Sequence, residues 1–182
     1  MLVCAGQILI LTGSPGSGKT TAARALASLP GSAKVHLHAD DFWHAIGHGA
    51  VAPFLPEAHA QNAVVMEALA AAAFSYARGG YFVVVDGIIG PWFLAPFGRD
   101  GAAVHYVVLH PPLDEAIRRC RERGGDTLTD PQVIAALYRQ LADLGELGHH
   151  ALPVAGLDAG GVAAAILRAV ESGRFRLAPG RT

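Results

Sequence analysis

The chain has 182 residues, 52% of them apolar and 16% charged, with a formal net charge of −1. That length suits one domain with a real core and is short for two. The charge balance offers neither a basic nucleic-acid surface nor a disordered acidic tail, so a folded globular chain without a nucleic-acid partner is expected.

Cys4 and Cys120 stand far apart with no Cys-x-x-Cys or Cys/His ligand spacing. The sequence therefore supports neither a disulfide framework nor a zinc site, and a reducing cytoplasm is the expected setting. The opening "MLVCAGQILILTG" is apolar but has no Lys or Arg before it, and it runs straight into a glycine loop, unlike a signal peptide. No apolar run reaches membrane-spanning length, since the Ala-rich stretch around Leu69 is broken by Ser75 and Arg78. No membrane partner is expected, and oligomeric state is not legible.

In chain order, residues 7–12 read as a first strand and Lys19–Ser28 as a helix. Between them "GSPGSGKT" fills the pattern G-x-x-x-x-G-K-[ST] with Gly13, Ser14, Pro15, Gly16, Ser17, Gly18, Lys19 and Thr20, followed by Thr21. Glycines let a backbone curl closely around phosphate oxygens, and the helix start adds its partial positive charge. Lys19 is then placed to reach the β- and γ-phosphates of ATP, and the Thr20 hydroxyl to ligate Mg²⁺. An accidental Gly-rich turn would not need the strand-loop-helix context found here.

Residues 34–39 read as the second strand, which ends on Asp40 and Asp41. Asp40 is the candidate base that orients a hydroxyl acceptor. Asp41 is divided between a helix cap and contact with Mg²⁺-bound water. After a long helix over 56–77, residues 81–86 form a third strand, and "YFVVVDG" presents Asp86 as a carboxylate that supports Mg²⁺ or the acceptor; the plain alternative is an Asp-Gly turn. Phe42, Trp43, Trp92 and Phe93 follow these strand ends, where they would wall an acceptor pocket or else pack on the core.

Val104–His110 is the fourth strand, Leu113–Arg123 and residues 131–144 are helices, residues 151–155 are the fifth strand and residues 160–172 the last helix. Near-continuous apolar strands alternating with helices predict a parallel sheet buried on both faces. Arg119 and Arg123, four apart on one helical face, are placed to close on the transferring phosphate, with a lid around 113–130; the alternative is a solvated helix paired with Asp114, Glu115 and Glu122. His36 and His38 alternate onto one strand face and His149 and His150 precede the fifth strand, but no metal-ligand set converges by spacing.

A GTP switch needs an Asn-Lys-x-Asp reader, yet Asn62 is the chain's one asparagine and neither lysine has Asp two residues on. Motor and transporter ATPases need more chain, and "LSGGQ" is absent. Phosphoryl transfer to a small acceptor remains. The loop, "HADDFW", "VVVDG" and the arginine-rich helix together resemble the small-molecule kinase branch of the P-loop kinases, which includes chloramphenicol phosphotransferase, gluconate kinase and shikimate kinase. Over nearly its whole length the chain also resembles bacterial AAA-type ATP-binding proteins of the nucleotide- or sugar-kinase kind.

The resemblance implies a single three-layer α/β/α P-loop NTPase domain over 1–182, with a five-stranded parallel sheet ordered 2-3-1-4-5. It also implies ATP and Mg²⁺ as cofactors, an acceptor site over the second and third strands, and an arginine-bearing lid. The chain lacks the Asp-x-Asp and triple glycine of shikimate kinases and the lid signature of gluconate kinases, which disfavours those two substrates. The expected activity is ATP-dependent phosphorylation of a hydroxyl on a nucleoside or nucleotide, a sugar-like metabolite or an antibiotic. The competing expectation is an ATP-binding regulatory or partner protein with slow hydrolysis and no acceptor.

Overall fold

Six consecutive buried residues, Ile8–Gly13, form strand β1 at the centre of the sheet. A computed structural model describes residues 4–99, 101–123 and 128–178. After β1 come α1 (Lys19–Ser28), β2 (Lys34–His38), α2 (Ala39–His44), α3 (His59–Arg78) and β3 (Phe82–Asp86). β4 (Val104–His110), α4 (Leu113–Arg123), α5 (Pro131–Ala142), β5 (Ala151–Pro153) and α6 (Ala159–Glu171) complete the order.

The five strands are all parallel and lie in the order β2-β3-β1-β4-β5. The chain therefore has the α/β fold with the 2-3-1-4-5 sheet of P-loop NTPases. Strand alternation divides the core in two. Ile8, Ile10, Val83, Val85 and Tyr106 face a cluster built on α3, while Leu9, Leu11, Phe82, Val84 and Val107 face one built on α1 and α6. Each buried Leu, Ile or Phe side chain contributes about 1.5–3 kcal/mol relative to exposure, so both sheet faces must be covered.

Register then builds one edge of the molecule. Leu11 pairs with Asp86 and His38 pairs with Asp86 from the other side, while Gly13 pairs with Leu109. The carboxyl ends of β2, β3 and β1 therefore finish side by side, where open α/β sheets bind ligands.

Several boundaries differ from the sequence expectation. Ala39 starts α2 rather than ending β2, and Asp40 and Asp41 occupy the first turn of that helix. Carboxylates there are favoured by the helix dipole. Residues Pro56–Ala58 form a 3-10 turn ahead of α3. β5 stops at Pro153, which brings no amide donor to the ladder, and the chain end takes up the remaining edge of β4: Tyr106 N donates to Phe175 O and Leu177 N to Val104 O, both at 2.8 Å. His149 and His150 close a 3-10 segment, Gly145–His150, before β5. Of the lid expected over 113–130, Leu113–Arg123 is α4, and residues 124–127 lie outside the described residues.

Candidate functional site

α1 begins without a side-chain cap: its N-cap residue is Gly18, at φ +86°. By contrast Asp130 caps α5 through Gln132 N at 2.8 Å, and Asp158 caps α6 through Gly161 N at 2.7 Å. Like α2 and α3, α1 leaves its first amides without a side-chain acceptor; at the end of a glycine loop these are the donors an anion-binding helix start uses. Lys19 folds back across the loop, its Nζ 3.4 Å from the Ser14 carbonyl oxygen. Burial pushes its ammonium below the usual lysine value, and the charges of Asp86 and Asp40 push back. Ser14 Oγ and Ser17 Oγ are buried without a hydrogen-bond partner, an uncommon condition for native hydroxyls.

Gly16 is needed twice over. It sits at φ +76°, and a Cβ there would run into the backbone carbonyl of Ala116 on α4. Gly16→Ala combines a positive-φ penalty of about 1 kcal/mol with overpacking against backbone of about 1–3 kcal/mol. At about 2–4 °C per kcal/mol for a chain of this size, the melting temperature in a thermal scan should fall by about 5–15 °C; an unchanged value would show that α4 is free to move away.

Asp86, fully buried at the end of β3, is the hub of the site. Thr20 Oγ1 donates to its Oδ2 at 2.6 Å, while His36 Nε2 at 2.5 Å and His38 Nδ1 at 3.0 Å both face its Oδ1. Burial alone would raise the Asp86 carboxyl, but the hydrogen bonds from His36 and Thr20 and the facing His38 outweigh it and hold it below the ordinary value. A folded value below the unfolded one stabilises the fold above the ordinary carboxylate value of 3.8, and that stabilisation is lost as pH falls through the folded value. Between pH 6 and 3 the wild type should accordingly lose more melting temperature than Asp86→Asn. Parallel curves would mean that the network carries no linkage.

The strand alternation that puts His36 and His38 on one face does so in order to satisfy a carboxylate. Among the described residues, no cluster of three or more His, Cys, Asp or Glu side chains is arranged as a metal cage. The pair of hard oxygens on Thr20 and Asp86, 2.6 Å apart beside Lys19, does fit Mg²⁺, which is held through one or two protein oxygens and completes its shell with water and phosphate.

Two cavities meet at the loop. The first, 410 Å³, lies toward β5 and is lined by Gly16, Gly18, Thr21, Arg119, Arg123 and the apolar Leu157, Ala159 and Val162. The second, 440 Å³, lies toward β2 and is lined by Lys19, Thr20, Arg24, His38, Asp40, Ile88, Arg123 and Leu128. Arg123 borders both, and Arg119 borders the first while ion-paired with Glu115. Arg118 instead pairs with Glu122 at 2.8 Å on the exposed side of α4.

Other expected site residues stand elsewhere. Asp41 is exposed and lines neither cavity, because successive helical residues turn by about 100° and Asp40 takes the cleft-facing position. Phe42, Trp43 and Phe93 pack against the α3 side of the core, and Trp43 Nε1 donates to Asn62 Oδ1 at 2.8 Å. Trp92 is half exposed against Phe93 and lines neither cavity. The apolar lining near Asp40 comes from Ile88 and Leu128. Arg24, which no motif marks, is a further cation there; only its position on α1 five residues after Lys19 hints at it.

A family model for an AAA domain matches residues 9–131. A search of curated proteins gives no match. An unliganded sugar kinase from Janibacter sp. HTCC2649 superposes at TM-score 0.66 with 20% identity, over 91% of this chain and 94% of that one. Shikimate kinase from Acinetobacter baumannii in complex with shikimate superposes at TM-score 0.62 with 22% identity, over 91% and 93%. A chain of the Pnkp1/Rnl/Hen1 RNA repair complex superposes at TM-score 0.60 with 23% identity over 78% of this chain, which spans 46% of that one. The structural neighbours include small-molecule kinases, and at these identities they speak for the shared fold. No helix among the described residues is long and apolar enough to cross a membrane.

Proposed function

Because the chain belongs to the AAA domain family, whose P-loop fold binds nucleotides, we propose that it is an ATP- and Mg²⁺-dependent phosphotransferase acting on a hydroxyl of a small molecule. The observation that carries the reading is the pair of cavities sharing one phosphate loop. A nucleotide switch needs room for one ligand at its loop, whereas a kinase needs room for a donor and an acceptor.

The cavity toward β5 is lined by the apolar Leu157, Ala159 and Val162 and by Arg119, a combination that suits the flat faces of a nucleotide base. The loop amides and Lys19 then hold the phosphates, with Lys19 exchanging its long contact to Ser14 for a phosphate oxygen. Thr20 and Asp86 would hold Mg²⁺, which when bound neutralises charge on the phosphate oxygens.

In the cavity toward β2, the side lined by Lys19 and Thr20 is left to the donor phosphates, and the acceptor takes the side lined by Asp40 and Ile88. Asp40, on the exposed first turn of α2, accepts a hydrogen bond from the acceptor hydroxyl and takes its proton late, as a loose transition state requires. Arg123, bordering both cavities, faces the place where the phosphoryl group crosses and balances its charge. Arg119 and Arg123 lie on the α4 part of the expected lid.

The test is transfer of labelled γ-phosphate from ATP to pooled nucleosides and nucleotides, sugars, amino-alcohols and antibiotics. Labelled product from one pool identifies the acceptor class. ATP binding with no acceptor in any pool, and slow hydrolysis alone, would instead favour a regulatory nucleotide-binding protein.

A further inference from the structure

We propose that His38 is the positioning residue that holds the two carboxylates of the site in register, taking Asp86 on its Nδ1 and Asp40 on its Nε2. The inference rests on the kinase reading for the roles of those carboxylates, but the geometry stands by itself. His38 Nδ1 lies 3.0 Å from Asp86 Oδ1, a hydrogen bond, and Nε2 lies 3.5 Å from Asp40 Oδ2, an ion-pair distance; the imidazole donates to both carboxylates in its doubly protonated form.

The fold makes this bridge from backbone outward. The β2–β3 register sets His38 directly beside Asp86, and β2 ends there, so that α2 starts with Ala39 and brings round Asp40, two residues after His38. Ala39 is fully buried, which anchors the junction, and the Cβ of Ala39 sits where a side chain on Gly87 would have to go. Strand and helix therefore meet without slack, and the imidazole spans the gap between them.

His36, two residues earlier on the same strand face, takes the same Asp86 oxygen, so Oδ1 has two partners and Oδ2 is left to Thr20. The division fixes which carboxylate oxygen faces the loop. Asp40 has no such double hold. Its side chain is 56% exposed, and among the described residues His38 is the one side chain within ion-pair distance of it. A carboxylate on an exposed helical turn samples several rotamers, and misplacement of a catalytic group by about 1 Å costs about 10²-fold in rate. A partner anchored to a buried carboxylate limits that freedom, as second-shell partners do for ligand side chains elsewhere.

The two imidazole nitrogens can be tested separately, because an Asn side chain reaches roughly where Nδ1 lies and a Gln side chain where Nε2 lies. Wild type, His38→Asn, His38→Gln and His38→Ala are compared by two measurements. One is ATP affinity with Mg²⁺ and with chelator, whose ratio reports the Thr20–Asp86 side. The other is phosphate release or transfer at saturating Mg²⁺·ATP, which reports the Asp40 side and can use water as acceptor if no other is known.

His38→Asn should keep the Mg²⁺-dependent gain in affinity within about twofold of wild type while turnover falls about tenfold or more. His38→Gln should lose about fivefold of that gain and recover more turnover than His38→Ala, which loses both. Melting temperatures establish that each variant is folded, and if His38→Ala is not, the opposite patterns of the Asn and Gln variants still decide. The proposal is overturned if the alanine variant keeps wild-type affinity ratio and turnover, or if the Asn and Gln variants show the same pattern. Failure of the kinase reading looks different: wild-type protein would gain affinity with Mg²⁺ yet phosphorylate no acceptor, and the affinity ratios and hydrolysis rates of the variants would still judge His38.

Discussion

Lys19→Met should cut the thermal stabilisation that ATP confers by half or more, and reduce phosphoryl transfer about 10²–10³-fold, while leaving the ligand-free protein as stable as the wild type or more so. Without ligand, Lys19 is a half-buried ammonium that reaches the Ser14 carbonyl oxygen at 3.4 Å, a long and weak contact. Burial pushes its charge toward neutrality, and Asp86 and Asp40 compensate only at a distance. Met keeps the aliphatic stem and removes the charge, so the fold loses little. The nucleotide loses a charge-assisted hydrogen bond to a phosphate, a contact worth about 1.5–3 kcal/mol in a desolvated site. A wild-type chain at a hundredfold excess of ATP over Kd gains about 2.7 kcal/mol, which at about 2–4 °C per kcal/mol is a shift of about 5–10 °C. Differential scanning with and without Mg²⁺·ATP reads both quantities. A variant that keeps the full shift would mean that the loop amides alone hold the phosphates and that Lys19 has another task.

The parts of this site written in local spacing are legible from sequence, and the parts written in long-range pairing are not. "GSPGSGKT" declares its chemistry because glycines, Lys19 and Thr20 act within one turn of chain. The sheet is legible because β1, β3 and β4 are apolar runs that only a doubly covered parallel sheet can bury. α2 escapes because six residues are too few to show a helical period, and its first turn reads as the end of a strand. His36 and His38 are visible as a pair on one strand face, yet their target is Asp86, about fifty positions away and set by the β2–β3 register. Trp43 reads equally well as pocket wall or core, and the deciding partner is Asn62, buried on α3 and also tied to the Pro53 carbonyl. Arg24 matters only because a cavity opens beside it.

Asp40→Asn and Asp41→Asn should separate cleanly, although the residues are adjacent. Asn keeps the size of the side chain and much of its tolerance of a first helical turn, so neither change should disturb α2. Asp40 lines the cavity with Lys19, Thr20 and Arg123 and meets His38, so its amide would still touch an acceptor hydroxyl but not take its proton. Phosphoryl transfer should fall about 10²–10⁴-fold, the usual contribution of a general base. ATP affinity should stay within about threefold, since the phosphate contacts are made by other residues; a loss confined to kcat marks an interaction made in the transition state. Asp41, on the solvent side of the same turn, should change either quantity by less than about threefold. Steady-state kinetics with the acceptor from the transfer screen, together with ATP titration of each variant, makes the comparison. If Asp41→Asn carried the loss instead, the base would be the second carboxylate, and α2 would have to rotate by about 100° on binding the acceptor. If both variants kept full transfer, proton removal would pass directly to a phosphate oxygen, and the cavity at Asp40 would serve binding alone.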